Sequence, residues 1–484
     1  MPSRDKVSNL IARRLRQETD TVFGVTGGYV VNLVDSFQKE GISVISMMHE
    51  QSASIAADAY ARFNGFGVCF GTSGPGTTNL ITGTACSYYD SIPVLTIGGQ
   101  VPSKYLNRGR DRQFGFQETE GVKLMKPVTK LSRRMKSIGD LENAIEVAKE
   151  GRAGPTFLEI TDDYQRSIGS DVQSRHFKKD DALTKFYSQA EINFQLSKAK
   201  KPLVIVGSGA RKMPLELKVP FLYTWGMKDK LHNLPYCKGD FGVTGSPNGN
   251  RLTKESDLIV MIGTRMDNHQ VPDWEDFAPQ AYKIAIGLEF PHKAEVIETE
   301  LNFPLKLKGR NWGRKEENKT EKPIYRWVDK LCENSDEGDV IIPDMGQTGC
   351  IVFQRWKPKK DQRLFNGMNH SPMGYSLPGA IGASLTGRKV ISIVGDGSLM
   401  MNLQDLQTIG EYNLPVEIYV VNNGGYGMIR QTQKDWKQYL KQEVATNFDI
   451  PDIRKLRDAF GVNIREVRFK DTEIVPKWKW GEKL

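Results

Sequence analysis

A chain of 484 residues exceeds what one hydrophobic core organises, so about three domains of 100–200 residues are expected. Its 26 % charged and 39 % hydrophobic residues exclude a disordered or fibrous protein, and no apolar run reaches the roughly 18 residues of a membrane-spanning helix. The net charge of +9 is dispersed, with small clusters such as Arg133-Arg134 and Lys477 to Lys479. No nucleic-acid motif accompanies it, so it reads as a solvated surface with a preference for anionic small ligands.

The N-terminal segment, MPSRDKVSNLIARRLRQE, is patterned as an amphipathic helix of mixed charge and lacks the apolar stretch of a secretory signal. Five cysteines (Cys69, Cys86, Cys237, Cys332, Cys350) are scattered without a CxxC pair, as in reduced proteins, and the expected setting is cytoplasmic. Residues 1–165 alternate strand-like runs (Val22 to Val25, Val44 to Met47, Gly67 to Phe70, Val94 to Ile97) with helical stretches such as Gln51 to Phe63. That alternation predicts a parallel sheet with helices on both faces. Between a strand and a helix lies His49-Glu50-Gln51; the helix dipole favours an acid in this first turn whatever else it does. Gly71 to Asn79 (GTSGPGTTN) is a tight Gly/Pro loop. The polar stretch Asp163 to Asp181 reads as a linker.

In residues 185–315, Leu203 to Val206 and Asp257 to Gly263 look like buried strands of a second α/β unit. Arg310 to Lys322 (RNWGRKEENKTEK) is charged enough for an exposed linker. In residues 323–484, Pro372 to Ala383 (PMGYSLPGAIGA) offers small residues for close helix packing. Lys389 to Val394 (KVISIV) is a buried parallel strand. Leu399, Leu403, Leu406 and Gly410 share a helix face, Leu414-Pro415 closes it, and Val416 to Val421 (VEIYVV) is the next strand. Such a crossover is right-handed, so both strand ends point the same way, toward the edge where open α/β sheets bind ligands. Gly395-Asp396-Gly397 ends the first strand and Asn422-Asn423 the second. Asp396 and Asn423 therefore converge; hard oxygens with phosphate and water suit Mg²⁺, and glycine lets the backbone approach an anion. Either fragment alone is an ordinary turn, but the whole unit predicts a metal and diphosphate clamp.

This unit resembles the binding motif of thiamine diphosphate-dependent enzymes. Over roughly 1–165, 200–300 and 340–465 the chain is similar to their acetolactate synthase-like members, the large catalytic subunits. The resemblance implies three doubly wound parallel-sheet domains: 1–165 for the pyrimidine ring, 185–315 as a shortened flavin-binding-like unit, and 323–484 for the diphosphate and Mg²⁺. It assigns the metal to Asp396, Asn423 and Gly425, and cofactor contacts to Gly27, Gly74, Gln347, Met373, Gly395, Gly397, Ser398 and Met428. Met373 is the implied apolar wedge that keeps the cofactor bent. MMHEQSASIAADAYARFNG resembles the segment bearing the activating glutamate, a role this gives to Glu50. A carboxylate on the aminopyrimidine favours its imino tautomer, whose nitrogen can take the thiazolium C2 proton. Phe116-Gln117-Glu118 and Lys126 to Lys130 (KPVTK) resemble stretches on the substrate side, making Gln117 and Lys130 candidate catalytic contacts.

The implied reaction is decarboxylation of pyruvate with transfer of the two-carbon unit to a second 2-keto acid, giving 2-acetolactate, as in branched-chain amino acid biosynthesis. The implied assembly is a homodimer or homotetramer with active sites between subunits, and a regulatory subunit is a candidate partner. Departures from the family pattern concern the acceptor. The substrate-pocket Trp is Thr432, and the Arg that grips a carboxylate is His269. A 2-keto acid decarboxylase or an acyl transfer to a keto-sugar is therefore the alternative reading, and a non-catalytic homologue a further one. Gly207-Ser208-Gly209 and Gly242 to Ser246 resemble flavin-contacting segments, which makes FAD a candidate second cofactor, although the third glycine of a dinucleotide fingerprint is missing. Val467 to Leu484 reads as joined family segments, a shortened end near the active-site lid. The six histidines form no HxxxH pair, and no GxSxG or Walker motif is present.

Overall fold

Strands and helices alternate through three successive sheets in the computed structural model, which describes residues 5–107, 109, 112–169, 189–271, 273–287, 295–298 (main chain), 304–316, 320–435 and 446–475. The first block holds β1 (Asp5–Lys6), β2 (Thr21–Gly24), β3 (Ser43–Ser46), β4 (Gly67–Gly71), β5 (Val94–Gln100), β6 (Leu131–Arg134), β7 (Thr156–Thr161) and β8 (Ile168–Gly169). Six of these form a parallel sheet of order β3-β2-β4-β5-β7-β6, while β1 and β8 pair antiparallel beside it. Strands β4, β5 and β7 are buried along their whole length, as parallel strands covered on both faces must be. The stretch expected as a linker begins in a short helix, Asp162–Arg166, and β8; residues 170–181 lie outside the described ones.

The central block contains β9 (Pro202–Val206), β10 (Leu215–Lys218), β11 (Phe221–Tyr223), β12 (Cys237–Asp240), β13 (Leu258–Ile262), β14 (Tyr282–Gly287), β15 (Glu295–Glu298) and β16 (Leu305–Lys308). Its parallel sheet has the order β12-β11-β9-β13-β14-β15. No α-helix follows β9. The chain makes a single 3₁₀ turn, Ser208–Ala210, and leaves the sheet as β10, which pairs in parallel with β16. It then returns as β11 beside β9. Leu217, Leu305 and Leu307 of this ribbon pack with Ile192 and Leu196 of the Gln189–Lys198 helix, so the ribbon and that helix cover a sheet face in place of a crossover helix.

The third block holds β17 (Val340–Pro343), β18 (Arg363–Leu364), β19 (Val390–Gly395), β20 (Val416–Asn422) and β21 (Asn463–Arg468), parallel in the order β18-β17-β19-β20-β21. The helix expected over Leu399 to Gly410 is two helices, Asp396–Met401 and Asp405–Glu411. Asn402 breaks it: its Nδ2 donates to the Gly374 carbonyl at 2.8 Å, a side-chain bond that competes with helix continuation.

The first and third blocks share one core. The Glu50–Asn64 helix lies on the Ser376–Ser384 helix through Ala53, Ala56, Ala57, Ala380 and Ala383. A Cβ on Gly382 would stand 2.0 Å from the Ala56 carbonyl, so only glycine permits this approach. Buried polar groups pin the joint. Tyr375 Oη donates to Asp58 at 2.5 Å, Ser52 Oγ to Asp405 at 2.8 Å, and Arg62 bridges Asp58 and Asp90. Full burial raises the Asp405 carboxyl to about 7. The central block has cores of its own and meets the third block where Trp225 stacks on Phe353 at 4.9 Å. No helix among the described residues is long and apolar enough to cross a membrane.

Candidate active site

β19 ends at Gly395, and Asp396 opens the next helix, buried at the sheet edge. Its Oδ1 accepts the Gly397 amide at 2.7 Å, and its Oδ2 accepts the amides of Gly425 at 2.8 Å and Asn423 at 3.1 Å. The main chain thus aims this carboxylate across the end of β20. Asn423 Nδ2 donates to Thr472 Oγ1 at 2.7 Å, Thr472 Oγ1 to Gln347 Oε1 at 2.5 Å, and Gln347 Nε2 to Gln431 Oε1 at 2.7 Å. Asn423 Oδ1 is buried with no hydrogen-bond partner, which ordinarily costs about 1–3 kcal/mol. A cation at this point would satisfy it. A carboxylate, a carboxamide oxygen and the Gly425 carbonyl are hard donors of the kind that Mg²⁺ takes together with phosphate oxygens and water. Among the described residues no group of three His, Cys, Asp or Glu side chains could hold a metal; phosphate oxygens and water would complete the shell of an ion here. The residues present therefore fit a metal-bound diphosphate.

The neighbouring segments close around this edge. Gly346, at φ 81°, turns the chain into the Gln347–Arg355 helix, and Gln347 is its first residue. A Cβ on Gly427 would lie 2.2 Å from Gln347 Oε1 and 2.4 Å from Asn423 Nδ2; the absence of a side chain lets the Gly427–Asp435 helix start against the cluster. Ser398 is buried in the Asp396 helix, and Met428 packs toward Gly346. Met373, half-buried, precedes a segment held by Asp344. That carboxylate directly follows β17 and accepts the amides of Met345, Gly374 and Ser376 at 2.8, 3.0 and 2.8 Å. Thr432 Oγ1 donates back to the Met428 carbonyl at 3.0 Å.

A second set of predicted residues gathers at the edge of the first sheet. His49 caps the Glu50–Asn64 helix, its Nδ1 accepting the Gln51 amide. Glu50 is 8 % exposed. Its Oε2 accepts Asn79 Nδ2 at 2.9 Å, and a Cβ on Gly76 would come within 3.4 Å of Oε1. Gly74 (φ 66°) presses on the Gln117 carbonyl, which also accepts Ser73 Oγ at 2.5 Å; Gln117 itself has φ 63°. Gly27 packs against Thr72 of the same loop. Glu50, Gly27, Gly74 and Gln117 are thus brought together around the Gly/Pro loop.

Lys130 is not. It immediately precedes β6, at the strand's start rather than its end. Its ammonium donates to the carbonyls of Glu150, at 2.7 Å, and Val147, closing the Ile138–Lys149 helix, and burial lowers its pKa. Among the described residues no hydrogen bond or ion pair joins Glu50 to the Asp396 cluster within one chain. Asp344, Gln431, Thr472 and Asn79 were not singled out by sequence reasoning. An acid directly after a buried strand was a usable signal for Asp344, and Asn79 closes the quoted Gly/Pro loop. Thr472 carried no signal, because only the fold brings it to Gln347.

Residues 5–124 match the N-terminal thiamine pyrophosphate-binding domain of thiamine pyrophosphate enzymes, 190–293 their central domain, and 344–479 their C-terminal thiamine pyrophosphate-binding domain. The chain is 30 % identical to the acetolactate synthase isozyme 2 large subunit of Escherichia coli (strain K12), over 94 % of this chain and 89 % of that protein. It is 30 % identical to a probable acetolactate synthase large subunit of Methanocaldococcus jannaschii, over 95 % and 86 %, and 28 % identical to the acetolactate synthase large subunit of Lactococcus lactis subsp. lactis (strain IL1403), over 94 % and 87 %. The chain is an enzyme of the thiamine pyrophosphate family and belongs to its acetolactate synthase-like members.

Proposed function

We propose that the enzyme decarboxylates pyruvate and transfers the two-carbon unit to a second 2-keto acid, giving 2-acetolactate, with thiamine diphosphate held through Mg²⁺. The carrying observation is the unpaired Asn423 Oδ1 beside Asp396, at a sheet edge matching a thiamine pyrophosphate-binding domain. When bound, thiamine diphosphate supplies the electron sink that decarboxylation of a 2-keto acid needs.

The chain's own residues would do the rest. Asp396, Asn423 and the Gly425 carbonyl would hold the cation, and the segments of Gln347 and Ser398 would lie beside the diphosphate. Met373, on a segment braced by Asp344 and Asn402, supplies an apolar wall. Glu50 holds and releases a proton at Oε1, the oxygen left free when Asn79 occupies Oε2. Glu50 is buried, with Gly76 packed beside Oε1. Gln117, fixed through its carbonyl by Ser73, offers its amide to the substrate side. The sites are read as shared, Glu50 of one protomer serving the Asp396 cluster of another in a homodimer or homotetramer, as the resemblance to acetolactate synthase large subunits implies. The relatives are described as large subunits, which supports a smaller regulatory partner.

Two residues favour a second reading with another carbonyl acceptor. Thr432 turns its hydroxyl back to its own helix, and His269 is exposed, so the acceptor side lacks both an aromatic wall and a bidentate carboxylate grip at these positions. Incubation with pyruvate, thiamine diphosphate and Mg²⁺ separates the readings. Acetolactate supports the first; acetaldehyde and CO₂ alone, or a product only with an added keto-sugar, supports the second. Calorimetry showing no thiamine diphosphate binding in Mg²⁺ would overturn both.

A further inference from the structure

We infer that the central domain takes no flavin nucleotide: the place where its sheet would cradle a dinucleotide is filled by its own main chain, and the domain serves as a brace for the third block. A dinucleotide's phosphates sit at the switch point of a parallel sheet, on the amides at the start of the helix that follows the first strand. Here the switch point lies between β9 and β13, on either side of which the strand order runs outward. The helix is absent, its place taken by one 3₁₀ turn and the β10–β16 ribbon.

Most of the amides that remain are engaged. In the first glycine segment, Gly207 N donates to the Ile262 carbonyl at 2.8 Å, Gly209 N to Gly263 O at 2.9 Å, and Ala210 N to Gly207 O at 3.0 Å. In the second, Gly242 N donates to Asn250 Oδ1 at 2.7 Å, Val243 N to His269 O at 2.7 Å, Gly245 N to Gly242 O at 3.1 Å and Ser246 N to Asp240 Oδ1 at 3.1 Å. The glycines serve contact between loops rather than approach to a ligand. A Cβ on Gly207 would meet the Gly263 carbonyl at 2.5 Å, and one on Gly242 the His269 carbonyl at 2.6 Å. The crevice between the β9 and β13 loops is therefore a main-chain joint.

The domain instead grips the helix that begins with Gln347. Lys228, buried, donates to the carbonyls of Phe353 and Gln354 at that helix's end, Gln354 Nε2 donates to the Thr244 carbonyl at 2.7 Å, and Trp225 stacks on Phe353. A cation on the terminal carbonyls complements the helix dipole, and the opposite end of the same helix presents Gln347 to the diphosphate edge.

The test uses the full-length protein as purified, with FAD and ADP as probes. The expected protein is colourless, releases no flavin on denaturation, leaves the fluorescence anisotropy of added FAD unchanged, and keeps its melting temperature in FAD or ADP. Flavin recovered at one per chain, or a saturable anisotropy rise with FAD, would overturn the inference. Thiamine diphosphate with Mg²⁺, titrated into the same sample, keeps the two readings apart: its failure to bind would remove the proposed function and leave the flavin result standing.

Discussion

The central sheet and the two outer sheets are all parallel, yet their edges differ. At the outer edges the chain leaves chemistry exposed to a ligand: Glu50 with one oxygen unengaged, and Asp396 beside an Asn423 oxygen that nothing satisfies. At the central edge most amides of the glycine-rich loops are paired within the domain. The outer blocks also share a single core, whereas the central block keeps its own. Architecture alone therefore does not make a binding edge in this molecule. What distinguishes the edges is whether polar groups are left unpaired where a ligand can reach them, since a buried polar group persists unpaired only if something else stabilises the arrangement.

The sharpest way to test this contrast is to remove chemistry from an outer edge without removing volume. Glu50→Gln keeps the contact with Asn79 and deletes the proton acceptor. Turnover is expected to fall by about 10²–10⁴-fold, the usual range for general acid–base groups, while calorimetric cofactor affinity changes little. Full turnover in the variant would remove Glu50 from the proton role.

Next in size is the joint between the outer blocks. Asp405 ordinarily titrates near 3.8 but is raised to about 7, by burial first, with the Ser52 hydrogen bond opposing and no charged group contributing. The native chain thus binds a proton that the unfolded chain has lost between these two values. Stability falls as pH rises through that window and levels off above it. At about 1.4 kcal/mol per pKa unit, the change amounts to about 4 kcal/mol. Denaturant unfolding of Asp405→Asn, whose side chain stays neutral, should lack this slope between pH 4 and 7; parallel profiles for the two proteins would show that the buried carboxyl does not govern the joint.

Asp396→Ala addresses the third-block edge directly. At a hundredfold excess over its dissociation constant, a ligand stabilises the native state by about 2.7 kcal/mol, and this increment should vanish in the variant when thiamine diphosphate and Mg²⁺ are added together. An unchanged rise in melting temperature would place the metal elsewhere.

The parts of this picture that sequence reasoning reached are those with a local cause. KVISIV and VEIYVV read as buried strands because parallel strands need apolar residues on both faces, and GDG and NN were placed at one edge by the handedness of a crossover. The broken helix at Asn402 was not legible, because its partner, Gly374, lies far away in sequence. Nor was Thr472, or the engagement of Lys130 by helix carbonyls. In the central block the glycines were visible and their use was not: glycine beside glycine is the same string whether it admits a phosphate or another loop.

That ambiguity is what the smallest predicted effect resolves. Gly207 has an ordinary φ of −107°, so alanine there would incur no conformational strain, and any penalty must come from space. Its Cβ would stand 2.5 Å from the Gly263 carbonyl and from Thr264 Cβ, atoms of a loop fixed at the end of β13 by the bond from Gly263 N to the Ile286 carbonyl. Overpacking of this kind costs about 1–3 kcal/mol, so Gly207→Ala should unfold at lower denaturant, while its stabilisation by thiamine diphosphate and Mg²⁺ stays that of the parent chain. If the loops were instead parted around a nucleotide, the same methyl group would find room and stability would not change. A neutral Gly207→Ala would thus count against the closed central edge, and with it against the contrast between the sheets.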